Sequence, residues 1–157
     1  MRCRVLLLSL TLVGGAAAGG CALVGDPCQA PVTGTATYVS GSTPPPYHHE
    51  WSVRLEESSG TVTYSPGYGF TETWSATFTP DATQVAGACR RLRQESDSDT
   101  APGGGTLTVR WQGGGGRATK LKTTDAQAAD LVRDGVPPDA WAQAQGGYER
   151  WQQTQRR

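Results

Sequence analysis

The chain predicts an α+β fold: an antiparallel sheet of about five or six strands packed by two or three helices, with one disulfide. Three observations predict it. Apolar residues alternate with polar ones, at period two, through most of the first half and again near residue 110. The spacing changes to the helical three-and-four pattern after residue 79 and after residue 124. The order of strands, helix, hairpin and helices has no βαβ alternation, so the strands belong in an antiparallel sheet.

Each element has its own local signature. Thr35 to Val39 is a short β-rich run, and Ser42 to Tyr47 (STPPPY) is a stiff polyproline-like loop. Trp51, Val53 and Leu55 alternate with Ser52, Arg54 and Glu56, the mark of a half-buried strand. Ser58-Ser59-Gly60 is a turn, after which Val62 and Tyr64 share a face, until Ser65-Pro66-Gly67 ends the strand. Trp74, Ala76 and Phe78 then alternate with hydroxyl residues. At Thr79-Pro80-Asp81 the expected helix start has Thr79 as cap, proline at the first helical position and an acid in the first turn. Ala82, Val85, Ala86, Cys89 and Leu92 form its inward stripe.

Glu95 to Gly105 reads as an exposed acidic loop. Leu107, Val109 and Trp111 begin a hairpin that returns at Ala118 to Thr123. Its Gly113–Gly116 turn lacks a two-residue turn signature and specifies the register weakly. Thr124-Asp125 opens a second helix through Arg133, with Gly135 expected as its left-handed stop. Trp141, Ala144, Tyr148 and Trp151 stripe a last helix, in which Gly146-Gly147 should each cost about 1 kcal/mol of helix propensity. Leu, Val and Phe are scarce, so five Trp and five Tyr must supply much of the core.

Function is legible chiefly at the N-terminus. Met1-Arg2-Cys3-Arg4, the apolar run Val5–Val13 and the small residues Gly14 to Gly20 have the layout of an export signal. The apolar run is far shorter than the roughly 20 residues of a membrane span. Ala18-Gly19-Gly20-Cys21 resembles the lipobox of bacterial lipoproteins, and the chain resembles a small actinobacterial-type lipoprotein. That resemblance implies a diacylglycerol on Cys21, attachment to the outer face of the cell membrane, and a non-catalytic module binding an envelope protein or extracellular ligand. Ala16-Ala17-Ala18 offers a rival cleavage site, which would release a soluble protein. Cysteine parity favours the anchor. With Cys3 removed and Cys21 acylated, Cys28 and Cys89 remain and can pair in an oxidising compartment. The expected organisation is a signal peptide at 1–20, anchor and tether at 21–32, and one domain at 33–157. Residues 22–27 span at most about 25 Å between the anchor and Cys28.

Composition sets other bounds. Loss of Arg2 and Arg4 takes the balanced 14 bases and 14 acids to a net charge of −2, which lacks the footprint of a nucleic-acid binder. His48-His49-Glu50 lacks the HExxH spacing of a zinc site, and Glu95-Ser96-Asp97-Ser98-Asp99 departs from a calcium loop at Thr100 and Thr106. Gly113–Arg117 has no following Lys-Ser/Thr to make a phosphate cradle. No metal or cofactor is expected. No catalytic signature is present, and a small extracytoplasmic enzyme stands as a minor alternative. The loop around Ser65-Pro66-Gly67-Tyr68-Gly69-Phe70 is the expected contact surface, with Tyr64, Tyr68 and Phe70 as its exposed aromatics. A topological likeness to emfourin, a family of small inhibitors of thermolysin-like metallopeptidases, spans roughly residues 50 to 133. It implies a peptidase inhibitor as the alternative function and carries over no site residue.

Overall fold

A computed structural model describes residues 28–29, 32–44, 46–95, 104–112 and 118–156. The segment expected to be an export signal, the expected anchor residue Cys21, most of the acidic loop and residues 113–117 lie outside the described residues.

Six strands form one antiparallel sheet: β1 (Thr33–Val39), β2 (Glu50–Leu55), β3 (Gly60–Ser65), β4 (Trp74–Phe78), β5 (Gly105–Gln112) and β6 (Thr119–Thr123). Their order across the sheet is β4-β3-β2-β1-β5-β6. Three helices, α1 (Ala82–Gln94), α2 (Asp125–Arg133) and α3 (Pro138–Gln155), complete the α+β fold. The period-two pattern decides which sheet face the helices cover. Ala36, Tyr38, Trp51, Val53, Leu55, Val62, Tyr64, Ala76, Leu107, Val109 and Leu121 point to one side and are buried with the inward stripes of the helices. The opposite face carries Thr37, Ser52, Thr63, Ser75 and Thr108 in register across five strands, a row of hydroxyls facing away from the core.

The hairpin register, weakly specified by its turn, is set by burial: Leu107 faces Leu121, and Thr106 faces Lys122. A one-residue slip of β6 would turn Leu121 to solvent, while β1 keeps Leu107 inward. Cys28 and Cys89 are bonded, with an S–S distance of 2.04 Å and Cα atoms 5.7 Å apart. Both are fully buried, so the bridge staples the N-terminal segment to the inward stripe of α1.

Three local expectations change. The cap of α1 is Asp81, not Thr79: the Asp81 carboxylate accepts from the N–H groups of Thr83 and Gln84 at 2.9 Å each. Pro80 biases Thr79 toward extended backbone, and the carboxylate two residues later reaches the free amides. Thr124 does cap α2, in a reciprocal box with Gln127. Gly135 is not left-handed. The chain leaves α2 through tight turns in which Gly135 N–H donates to Val132 O and Val136 N–H to Arg133 O. Finally, Gly147 is less a weakness in α3 than a packing requirement: a Cβ there would lie 2.4 Å from Trp74 Cδ1. The missing side chain lets α3 settle on β4.

The ends of the sheet are distinct. β1 begins beside Leu55, Gly60 and Phe78, and it ends beside Glu50, Ser65 and Trp74. Seven residues at about 3.3 Å each separate the two ends by roughly 20 Å. The N-terminal segment enters at the first end. The β1–β2 loop, the β3–β4 loop and the last turns of α3 meet at the second.

Candidate functional site

That second end holds the exposed aromatic residues. Tyr68 is 59% exposed, Tyr47 54% and Phe70 40%. Tyr64, expected among them, is only 4% exposed; it lies on the inward face of β3 against Trp141 and Tyr148. The correction follows from parity. Tyr64 shares a strand face with Val62, while the contact loop begins only where Pro66 ends the pleat.

The β3–β4 loop has an unusual backbone. Gly67, Tyr68 and Gly69 have φ values of 67°, 48° and 84° in succession. Glycine adopts this region freely, but a tyrosine there costs roughly 1–2 kcal/mol. Gly67 is needed for a second reason: a Cβ would lie 2.6–2.7 Å from His48 and Glu50. The loop therefore presses on His48, and the Tyr68 ring rests on the imidazole at 4.0 Å between centroids. Phe70 N–H closes the turn on Gly67 O at 3.0 Å, and the Phe70 ring meets Trp151 edge-on at 5.3 Å.

Beneath these rings is a hydrogen-bonded clamp. His48, 4% exposed, has Nδ1 2.9 Å from Ser40 Oγ and Nε2 3.4 Å from Glu50 Oε1. Ser40 Oγ also accepts the His49 backbone N–H at 3.0 Å and lies 3.3 Å from Thr43 Oγ1. A serine, a histidine and a carboxylate in line resemble a nucleophile relay. Here, however, the imidazole is sealed under Tyr68 and the serine oxygen is already engaged by the loop, so the arrangement holds the β1–β2 turn. From the other side, Tyr148 O–H donates to the carbonyls of Pro46 and His48, and Gln152 Nε2 donates to Pro46 O at 3.0 Å. The Arg156 guanidinium lies over the Tyr47 ring at 5.1 Å.

His48 and His49 take different partners, as adjacent residues entering a strand must. His49 turns inward between Tyr38 and Tyr148, with Nε2 3.1 Å from Asp125 Oδ1. That approach falls outside ordinary hydrogen-bond geometry. Trp51 Nε1–H donates to the same oxygen at 2.8 Å. Burial alone would raise the Asp125 pKa; the adjoining imidazole, the indole N–H and Arg133 outweigh it and hold the carboxyl below its ordinary value. Burial, helped by the Asp125 charge, pushes Tyr38 up to about 12 and raises Tyr64 further. Burial also raises Tyr148, opposed by Arg156.

Among the described residues no group of three or more His, Cys, Asp or Glu could hold a metal ion, and no helix is long and apolar enough to cross a membrane. Trp51 and Trp141 are core, while Trp74, Trp111 and Trp151 are half-buried against it. Nothing in the spacing along the chain marks Tyr47, the His48 clamp and the end of α3 as one surface. The stripe Trp141-Ala144-Tyr148-Trp151 was visible, but not that its last member meets the β3–β4 loop. Comparison with protein families, with curated proteins and with solved structures finds no match.

Proposed function

We propose that this protein is a membrane-anchored extracytoplasmic lipoprotein that catalyses nothing and binds an envelope protein or extracellular ligand through its aromatic end. The observation that carries the binding surface is the left-handed Tyr68, whose strained backbone keeps a ring open to solvent above a buried imidazole. Strain of this kind persists where the surroundings over-determine it, and the His48 clamp does so here. The lipobox-like Ala18-Gly19-Gly20-Cys21 supports the anchor.

The anchor is tested by the intact mass of the protein from the membrane fraction. A mature chain starting at Cys21 with an added diacylglycerol is expected; an unlipidated chain starting at Gly19 in the medium would overturn it. The surface is tested by retention of the protein on purified envelope material. Tyr68→Ala/Phe70→Ala should be retained much less than the wild type with a melting temperature within a few degrees of it, and equal retention would sink this assignment of the surface. The order of strand pair, helix, hairpin and helix supports the inhibitor reading as the alternative. Stoichiometric loss of activity of a thermolysin-like peptidase on adding the protein would replace the ligand-binding reading with that one.

A further inference from the structure

The two edges of the sheet are protected very differently. β6 carries Lys120 and Lys122, the only lysines of the chain, both exposed on one face of the strand. Lysines on an edge discourage pairing with another sheet. β4 reads Trp-Ser-Ala-Thr-Phe and has no charged residue. It pairs only with β3, and no backbone hydrogen bond runs outward from it among the described residues. Trp74 and Phe78 are half-buried along this margin.

We propose that β4 pairs antiparallel with β4 of a second copy, joining two sheets into one of twelve strands. A two-fold axis through Ala76, the middle residue of β4, pairs the whole strand and keeps facing residues on the same side of the sheet. Ala76 then faces its own copy, Trp74 faces Phe78 of the second copy, and Ser75 faces Thr77. Aromatic pairs of this kind stabilise strand pairing, and no like charges are opposed. Self-pairing of β6 about Leu121 would instead set Lys120 against Lys122 twice. The helical layer fits the same geometry. α3 lies across β3 and β4, with Gly147 on Trp74. Two copies of α3 would therefore stand about two strand spacings apart, roughly 10 Å, which is a helix-packing distance. Helical spacing puts Asp139, Gln143, Gly146 and Arg150 on the flank that would meet the second α3. An antiparallel arrangement leaves Asp139 and Arg150 of the other copy within about one helical turn of each other.

Sedimentation velocity over a concentration series, on the full exported protein purified as the cell makes it, tests this. A concentration-dependent dimer is expected. Ser75→Lys/Thr77→Lys sets lysine against lysine at two symmetric positions and should raise the dimer dissociation constant by about tenfold or more. Ser75→Lys/Thr77→Glu opposes unlike charges in the same register and should restore dimerisation. Both positions are solvent-exposed, so the melting temperature of the monomer serves as the folding control. A wild type that stays monomeric at the highest concentration would overturn the proposal. So would a dimer indifferent to the lysine pair, or a charge-swapped variant as monomeric as the lysine pair.

Discussion

Two adjacent glycines in α3 make opposite predictions. In an isolated helix Gly146→Ala and Gly147→Ala would each be favourable by about 1 kcal/mol. In the folded protein a Cβ at Gly146 would meet only Arg150 Nη1, at an ordinary 3.5 Å. A Cβ at Gly147 would fall 2.4 Å from Trp74 Cδ1, 2.5 Å from Cγ and 2.8 Å from Cβ. These atoms are the stem of a large half-buried ring, so the overlap is relieved only by shifting α3 or the indole. Overpacking of this kind costs about 1–3 kcal/mol, which exceeds the propensity gain over most of its range. Gly146→Ala should therefore stabilise by about 0.5–1 kcal/mol, and Gly147→Ala should destabilise by up to about 2 kcal/mol. At about 2–4 °C per kcal/mol, the two melting temperatures should differ by about 5 °C. Urea denaturation with the disulfide intact measures both. Combining Gly147→Ala with Trp74→Leu should recover part of the loss, with a coupling of about 1 kcal/mol. If Gly147→Ala stabilises as much as Gly146→Ala, the close approach of α3 to β4 described above is wrong.

Other perturbations have definite signs. Replacing Cys28 and Cys89 by alanine frees a loop of 61 residues' separation and should cost about 4 kcal/mol in the chain-entropy account, read as a lower urea midpoint. Asp125 has a lowered pKa in the folded state, so the unfolded chain binds its proton more tightly. Its contribution is present above pH 4 and is lost as pH falls through the folded value. Asp125→Asn should flatten the acid limb of stability against pH, and an unchanged limb would refute the assignment. Tyr38, Tyr64 and Tyr148 have raised pKa values, so their contribution is full below pH 10 and declines above it, through about pH 12 for Tyr38. Absorbance at 295 nm should show these phenols ionising late, with alkaline unfolding. Tyr68→Gly removes the strained side-chain conformation and the stack on His48 together; a change in melting temperature of no more than a few degrees is expected, against a clear loss of retention on envelope material.

Much of the fold was readable from the chain because its signals are local. Trp51-Val53-Leu55 and Trp74-Ala76-Phe78 alternate at period two whatever packs on them, and the stripe from Val85 to Leu92 repeats at helical spacing. Cysteine parity alone pairs Cys28 with Cys89. The candidate site was only partly legible. Tyr68 and Phe70 could be read as exposed because Pro66 and two glycines leave no regular element for them. Tyr64 could not be placed from the loop alone, since one residue of parity decides between core and surface. The Asp81 cap and the turn at Gly135 were misassigned because proline and glycine each permit several backbone solutions, and neighbouring contacts choose among them.

The sequence by itself determined the number and kind of elements, their inward faces and the cysteine pair. Each of these depends on residues close in the chain or on simple counting. Only the tertiary structure decided what lies beside what: Gly147 under Trp74, Tyr148 bonded to the carbonyl of His48 a hundred residues earlier, and Asp125 held by Trp51 and His49. It also decided which strands are edges, and so which end up with lysines and which without. These are facts of long-range packing and topology, for which spacing along the chain carries no signal.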